Sequence, residues 1–394
     1  MRKVLSLAAA GLLAAGAAQA GTLTVANSDI TLYGGVSAGY DWQNNDHAAA
    51  GTQGNQDNFS VSTFAIGLMK KADANSPIGF NAAFASFTVP TVIASSSVIN
   101  ASDANSNNLI AYGSTTTFKP WLAYVTIAPV EGLSVDAGLL WNKFGEAPLT
   151  ILNRHYTRGI LFTGHPVLYA GARVNYDAGV AKVYVGYNQG GGLRQGGYSL
   201  GTTLIGYNIN DAFEAGVMAD LGVAKVGLHT YNESKGRDLY VACAKADAGI
   251  VKVGLEIDYT KLDDEADRSN STASGAHQPF GYNAGADSSA WGVALNLDFD
   301  FLNAQIANVT VPIRIEYVDN GNSSGTDIYG SGIYLTGEGS TWSFTITPTY
   351  KPTKNTFVRV EYAYTSADKK VFVDDKGSSK DSLSVVAFEA GFLF

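Results

Sequence analysis

Apolar and polar residues alternate with a period of two along most of the chain. In the run from Leu133 to Trp141 every odd-numbered residue is apolar, whereas Ser134 and Asp136 lie between them. The runs 30–42 and 291–299 show the same alternation. Because successive side chains of a β-strand point to opposite faces, these runs predict strands with one apolar face and one polar face. Tyr and Trp at several strand ends suit the two interfaces of a membrane.

The connections between these predicted strands are of two kinds. Three near-identical hairpins turn on Asp-x-Gly, at 177–179, 220–222 and 247–249. Asp and Gly tolerate the backbone conformations that tight hairpins need, so these are predicted to be short turns. The other connections are long and rich in Gly, Ser, Asn and Asp, and they cover 44–58, 91–114, 143–164, 262–287 and 367–381. In outer-membrane barrels short turns face the periplasm and long loops face outward.

Strand parity sets the predicted number of strands. If every long loop lies at one end and every Asp-x-Gly turn at the other, then 199–219 and 328–350 each count as one strand. The fold class is then all-β, a closed antiparallel transmembrane β-barrel of about sixteen strands with both termini at the turn end. The alternative of eighteen strands requires turns at 208–211 and 336–340.

The first twenty residues have the three regions of a secretory signal peptide. Arg2 and Lys3 precede an apolar run that ends in Ala18-Gln19-Ala20. Residues 1–20 are therefore predicted to be removed, and 21–394 to form a single outer-membrane domain. No later apolar run approaches the roughly 20 residues of a spanning helix.

Loss of Arg2 and Lys3 would change the net charge from −9 to −11, which argues against a nucleic-acid partner. The single cysteine, Cys243, cannot form an internal disulfide.

The final strand ends the chain on an aromatic residue. Phe388, Phe392 and Phe394 fall on one face of the segment 382–394. This ending resembles the assembly signal of outer-membrane β-barrel proteins, which implies recognition by the barrel assembly machinery. An ordinary edge strand of a soluble β-protein is the alternative interpretation.

Two internal stretches carry a more specific resemblance. They are Asn-Arg-His-Tyr-Thr-Arg-Gly-Ile-Leu-Phe-Thr-Gly-His-Pro at 153–166 and Tyr-Lys-Pro-Thr-Lys-Asn-Thr-Phe-Val-Arg-Val-Glu-Tyr at 350–362. Both stretches resemble the OmpL-like family of outer-membrane porins, in which a Pro-x-Lys-Asn turn leads into a strand with lumenal Arg and Glu. The resemblance implies a water-filled channel for small hydrophilic solutes and ions, surrounded by lipid and lipopolysaccharide. It also implies a homotrimer.

Closing the predicted barrel collects the polar strand faces in its lumen. The sequence Arg314-Ile-Glu316-Tyr317 repeats as Arg359-Val-Glu361-Tyr362, which places Arg and Glu on one face of two strands and predicts cross-strand ion pairs. The predicted lumen wall comprises Arg173, Arg314, Glu316, Arg359, Glu361 and Asp136. These charges either stiffen the wall or take part in conduction.

The long loop 143–164 lies between the fifth and sixth predicted strands and is therefore the third external loop. In sixteen-strand porins, which this chain resembles, that loop folds inward and narrows the channel. Its basic residues are Lys143, Arg154, Arg158 and His155, against one acidic residue, Glu146. A basic constriction would give a modest anion preference, with His155 adding charge at mild acidity. The competing hypothesis is that Arg154 and Arg158 pair with acidic residues or fix the loop to the wall.

The sequence offers no pattern for catalysis, a cofactor or a metal. The cluster Asp263, Asp264, Glu265 and Asp267 lacks a calcium-loop spacing and is interpreted as a solvated loop. The five His residues form no HExxH motif, and no GxSxG is present. Two other function classes stay open: an adhesion or structural barrel without an open pore, and, less favoured, a barrel-type membrane hydrolase.

Overall fold

The computed structural model contains a closed antiparallel barrel. It describes residues 23–24, 29–45, 58–73, 76–93, 119–147, 149–189, 211–234, 237–262, 289–322, 333–334, 336–374 and 376–394. Within these residues the barrel has sixteen strands. They are β1 (Ile30–Gln43), β2 (Asn58–Lys70), β3 (Ile78–Phe87), β4 (Lys119–Val130), β5 (Leu133–Trp141), β6 (Leu168–Asp177), β7 (Ala181–Gln189), β8 (Asp211–Asp220), β9 (Ala224–Glu233), β10 (Arg237–Asp247), β11 (Val251–Leu262), β12 (Ser289–Asp300), β13 (Val309–Asp319), β14 (Ser340–Ile346 continued by Thr349–Thr353), β15 (Thr356–Ala367) and β16 (Ser382–Leu393).

Each strand pairs with its sequence neighbours, and β1 closes the barrel against β16. Val36 lies opposite Phe392 in that pair, and Tyr40 lies opposite Phe388. Below these pairs Gly34 and Phe394 exchange two backbone hydrogen bonds of 3.0 Å. Closure leaves no long unpaired edge, which a sheet surrounded by hydrocarbon requires. The predicted count of sixteen strands is confirmed.

The predicted separation of turns and loops is confirmed for the described strands. The Asp-x-Gly turns connect β6 to β7, β8 to β9 and β10 to β11, so all three lie at one end of the barrel. In each turn the Asp Oδ1 accepts a hydrogen bond from the Gly N–H, at 2.9, 3.0 and 2.9 Å. The three glycines have φ between +82° and +88°, which only glycine adopts without strain. The five predicted long loops all leave the opposite end.

One strand is shorter than predicted. The segment 328–350 was expected to be a continuous strand, but β14 begins at Ser340. Residues 336–339 precede it as a turn, and the Asn320 side chain donates hydrogen bonds to the Tyr334 and Gly337 carbonyl oxygens at 2.6 and 2.8 Å. These contacts hold the segment to the end of β13 and keep it out of the sheet. For the other expected strand, 199–219, the part before Asp211 lies outside the described residues.

The two faces of the barrel differ as the alternation predicts. On β15, Arg359 and Glu361 are buried, whereas Val360 and Tyr362 are 50% and 43% exposed. Phe388 and Phe392 of the final strand are likewise on the outside, and the ring of Phe392 stacks on that of Phe394. An apolar exterior around a charged interior is the arrangement of a barrel in lipid. No helix among the described residues is long and apolar enough to cross a membrane.

Candidate functional site

The connection between β5 and β6, residues 142–167, lies inside the barrel and is called the third loop below. It contains a 3-10 turn, Thr150–Leu152, and a short helix, α1, Ile160–Gly164. Leu149, Ile151 and Phe162 are buried in an apolar cluster with lumenal residues that include Tyr33 and Trp121. The loop thus fills part of the lumen by packing, and several charged wall residues hold its backbone.

Glu361 on β15 holds the middle of the third loop. Its carboxylate accepts hydrogen bonds from the backbone N–H groups of Tyr156 and Thr157, at 2.6 and 2.9 Å, and from the Thr157 hydroxyl at 2.5 Å. The hydroxyl of Thr347, which lies between the two parts of β14, donates a fourth hydrogen bond, at 2.7 Å. A buried carboxylate needs such donors because burial without them is costly.

Arg359 and Glu389 hold the 3-10 turn. They lie directly opposite on β15 and β16, and Arg359 Nε donates to Glu389 Oε2 at 2.8 Å. The remaining Arg359 donors reach the carbonyl oxygens of Asn153 and Thr150 at 2.8 and 2.9 Å. The Thr150 hydroxyl in turn donates to Glu389 Oε1 at 2.7 Å. This ion pair joins two neighbouring strands and also binds the loop, but its acidic member, Glu389, lies outside the two Arg-x-Glu repeats from which ion pairs were predicted.

Arg314 and Glu316 on β13 hold the third loop at Glu146, at Thr157 and at the start of α1. Arg314 Nη1 donates to Glu146 Oε1 at 2.5 Å and to the Thr157 carbonyl oxygen at 3.2 Å. Glu316 accepts from the N–H groups of Ile160 and Leu161 at 2.9 and 3.2 Å, at the start of α1. Although burial acts in the opposite direction, the Arg314 and Arg158 guanidinium groups hold the pKa of Glu146 below its usual range. Glu146 is therefore an anion within the loop.

The other two predicted wall residues are lumenal and lie opposite each other on β5 and β6. Arg173 Nε donates to Glu214 Oε1 at 2.8 Å, and its Nη2 donates to the Trp141 carbonyl oxygen at 2.8 Å. Asp136 accepts from the Thr126 hydroxyl at 2.6 Å and from the Asn175 amide at 2.9 Å. Both residues are thus hydrogen-bonded within the wall, and Arg173 reaches the end of β5 where the third loop begins.

Arg158 and His155 lie in the packed interior of the third loop. Arg158 is 0% exposed, and its guanidinium donates to the carbonyl oxygens of His155 and Tyr156. Its backbone forms hydrogen bonds with the backbone of Pro90 and Val92, in the connection that follows β3. Burial lowers the pKa of Arg158 to about 10, so it stays charged at neutral pH. The Arg158 guanidinium thus bonds within the third loop itself, whereas the competing hypothesis had it pair with acidic residues or fix the loop to the wall.

The structure contradicts one expectation about His155. Burial and the nearby Arg314 hold the pKa of His155 well below its usual range. Its Nδ1 lies 2.6 Å from the Thr347 hydroxyl. The prediction that His155 adds charge at mild acidity is therefore wrong, because the protonated ring would face several buried guanidinium groups.

Lys143 and Arg154 occupy different surroundings. The Lys143 ammonium lies 5.5 Å from the centre of the Tyr184 ring. Burial, together with Arg173, lowers the pKa of Lys143 to about 7. Arg154 is 44% exposed, forms an ion pair with Asp298, and lines a cavity below the loop. Of the four basic residues proposed from sequence, Arg154 is the one that reaches this cavity.

The cavity below the third loop has a volume of about 520 Å³ and opens among strand ends near the Asp-x-Gly turns. We call it the basic vestibule, because its lining contains twice as many basic as acidic side chains. The basic residues are Arg154, Lys225, Lys245, Lys252, Lys351 and Arg359, and the acidic residues are Asp247, Asp298 and Asp300. Lys245 and Lys351 were missed from sequence. The available signal was the alternation of Lys245 and Asp247 with alanines, which places Lys245 on the polar face of its strand.

A further cluster joins the end of the third loop to β11. His165 Nε2 lies 2.6 Å from Asp258 Oδ2 and 3.8 Å from Glu256 Oε1. Burial disfavours a charged imidazole, but the adjacent Asp258 carboxylate raises the pKa of His165 above its usual range. Sequence reasoning could not find this cluster, since His165 and β11 are far apart along the chain.

A closed barrel with an apolar exterior, a charged lumen and an inward loop defines the class of outer-membrane β-barrel channels. The model of the OmpL-like beta-barrel porin-2 family matches residues 29–394, so this chain belongs to that family. The resemblance drawn from 153–166 and 350–362 is thereby confirmed. Family and fold together indicate an outer-membrane location.

Solved structures share the fold at low sequence identity. An anion-selective porin from Comamonas acidovorans has 13% identity and a TM-score of 0.59, with 93% of this chain and 99% of that chain covered. The outer membrane channel DcaP of Acinetobacter baumannii has 15% identity and a TM-score of 0.57, with 95% and 100% covered. The trimer form of OmpT from Vibrio cholerae has 11% identity and a TM-score of 0.56, with 93% and 99% covered. Among curated proteins none matches this chain.

Proposed function

We propose that this chain forms a non-enzymatic diffusion channel for small hydrophilic solutes and ions, with a modest preference for anions. The observation that carries the anion preference is the lining of the basic vestibule, which has six basic and three acidic residues. Within it Arg154 pairs with Asp298, and Lys252 pairs with Asp300 at 2.6 Å. Lys245 and Lys351 supply positive charge beyond these pairs.

The physical reason lies in the dielectric surroundings of the vestibule. Fixed charges in a narrow pore bounded by protein are screened less than charges on an open surface, so a small excess of one sign selects ions. The net charge of the chain, −9, does not decide the preference, because the field inside the vestibule comes mainly from its lining. The proposal is narrower than the hypothesis drawn from sequence, because of Arg154 and Arg158 it gives a role in selectivity to Arg154 alone.

Reversal potentials in planar bilayers under a KCl gradient test the proposal. The wild type should favour chloride, and Arg154→Gln or Lys245→Gln should each move the reversal potential toward potassium selectivity. Lys370→Gln is a matched control, since Lys370 is exposed in the loop between β15 and β16. A cation-selective wild type, or variants with an unchanged reversal potential, would refute the anion preference.

A barrel without an open pore is the second candidate. It is favoured by the third loop, whose Tyr156, Arg158 and Ile160 are 0% exposed, and by its backbone pairing with Pro90 and Val92. Purified, folded protein that carries no current in the same bilayers would support this candidate and overturn the channel.

The cellular setting is also a proposal. Residues 1–20 act as a signal peptide, residues 21–394 form the single domain, and the folded barrel contacts lipid and lipopolysaccharide. A homotrimer is the proposed assembly, by analogy with the trimer form described for the Vibrio cholerae structure. Mass measurement of the mature protein and cross-linking in native membranes test these points.

A further inference from the structure

We propose that His165, Glu256 and Asp258 form a binding site for a divalent transition-metal ion such as Zn²⁺. One potential ligand atom from each residue lies within 4.8 Å of the other two. An imidazole with two carboxylates is a ligand set that Zn²⁺ and similar ions accept. The inference does not depend on the proposed channel function.

Burial makes the cluster more than a group of acidic residues. His165 is 1% exposed and Asp258 is 0% exposed, and among the residues that the structure describes none donates a hydrogen bond to Asp258 Oδ1. The contact between His165 and Asp258 Oδ2 therefore leaves Asp258 Oδ1 buried without compensation. A buried carboxylate is costly unless a cation or donors compensate it, and a divalent ion would do so for both carboxylates.

The two distances from the His165 imidazole to the carboxylates are close to those of a zinc site. Ligand atoms about 2.1 Å from a zinc ion lie roughly 3 to 3.5 Å apart. His165 Nε2 is 2.6 Å from Asp258 Oδ2 and 3.8 Å from Glu256 Oε1, so one contact must lengthen and the other shorten by less than 1 Å. Glu256 and Asp258 are two residues apart on β11 and share its lumenal face. The carboxylates are thus held on a rigid element.

Glu256 places the cluster beside the basic vestibule. Gly254 lines the vestibule, and Glu256 is the next residue on the same face of β11. The Glu256 side chain is 18% exposed, which leaves the cluster partly open on that side. A bound ion would join the end of the third loop to β11, and we expect it to stabilise the loop inside the lumen.

Cys243 and His229 offer a neighbouring alternative that the test must separate. Cys243 lies opposite Glu256 across β10 and β11, and its Sγ is 3.8 Å from His229 Nε2. A thiolate ligand to Co²⁺ produces a charge-transfer absorption that imidazole and carboxylate ligands do not. Co²⁺ can therefore report which set binds.

The experiment titrates Zn²⁺ and Co²⁺ into full-length folded protein in detergent after chelator treatment. We expect one ion per chain, a raised unfolding temperature, and a Co²⁺ spectrum without thiolate charge transfer. Ca²⁺ should bind far more weakly, because it takes six to eight oxygen ligands. Glu256→Gln should weaken Zn²⁺ binding at least about tenfold, whereas His229→Ala should leave it unchanged.

Several results would overturn the site. These are no stoichiometric binding to the wild type, unchanged binding in Glu256→Gln, loss of binding in His229→Ala, or a thiolate band with Co²⁺. His165→Gln serves as a second variant and should weaken binding in the same way. If neither ligand variant folds, the wild-type stoichiometry and the Co²⁺ spectrum still decide the question.

Discussion

Arg359 and Glu389 face each other across β15 and β16, and the same two residues hold the 3-10 turn of the third loop. One ion pair therefore serves two purposes, since it joins the last two strands and fixes the loop in the lumen. Both side chains are buried, at 3% and 0% exposed. The cost of removing either partner alone comes mainly from the buried charge that remains.

A double-mutant cycle tests this relationship. Glu389→Met and Arg359→Met should each destabilise the barrel by about 3 to 5 kcal/mol, whereas the double variant should cost less than their sum. Arg359→Met should be the worse single change, because it also removes a hydrogen-bond donor from each of the Thr150 and Asn153 carbonyl oxygens. Urea unfolding in detergent measures the three values. Strict additivity would show that the pair is not coupled.

Lys143 should make stability depend on pH above neutrality. Its pKa in the folded protein is about 7, lowered by burial and Arg173, and in the unfolded chain it returns to the usual value near 10.4. Between these values the unfolded chain binds more protons, so the contribution of Lys143 to stability rises with pH. The unfolding free energy of the wild type relative to Lys143→Met should therefore rise from pH 7 to pH 9. A difference that stays flat or falls would contradict the lowered pKa.

The end of the barrel that faces outward can be determined by labelling. An epitope inserted at Glu265 lies in the connection between β11 and β12, whereas one at Asp177 lies at the opposite end, in the turn after β6. Long loops face outward in barrels of this class, so antibody should reach the first epitope on intact cells and the second only after permeabilisation. The reverse labelling pattern would show that the barrel has the opposite orientation in the membrane.

The final residue should matter for assembly more than for the folded barrel. Phe388 and Phe392 are on the outer face, and the Phe394 backbone exchanges hydrogen bonds with Gly34 at the closure. Phe394→Asp leaves those backbone groups in place but removes the terminal aromatic ring. We expect reduced amounts of heat-resistant barrel in the outer membrane, with Lys370→Gln as a control. Normal amounts would count against an assembly signal at Phe388, Phe392 and Phe394.

The strands could be predicted from sequence because their pattern is local. A period of two, turns at Asp177 and its equivalents, and the need for an even count were sufficient for sixteen strands. The beginning of β14 was left open between a strand that runs through 328–350 and the turn at 336–340 of the eighteen-strand alternative. The Asn320 side chain holds the segment before Ser340 through contacts that no local pattern encodes.

The site was less predictable, because its geometry depends on contacts between residues that are far apart in the sequence. Arg154 and Arg158 have the same charge and lie four residues apart, yet one lines the vestibule and the other is fully buried. What separates them is the attachment of Tyr156 and Thr157 to Glu361 on a distant strand. His165 and Asp258 are likewise brought together only by the inward path of the third loop. Sequence could identify the charged residues but could not assign their contacts.

Glu361 should be the most sensitive single attachment of the third loop. It accepts three hydrogen bonds from Tyr156 and Thr157, and Glu361→Gln keeps its shape but removes the charge and one acceptor. Hydrogen bonds to charged groups contribute about 1.5 to 3 kcal/mol each, so a loss of a few kcal/mol in unfolding free energy is expected. Because α1 and the 3-10 turn keep their own attachments, the barrel should still form and the loop should loosen. Single-channel recording should then show larger current fluctuations than in the wild type. Glu131→Gln, a change at an exposed turn residue, is the control and should leave the fluctuations at the wild-type level. If Glu361→Gln has the unfolding free energy and the current fluctuations of the wild type, the Glu361 hydrogen bonds are not what holds the loop.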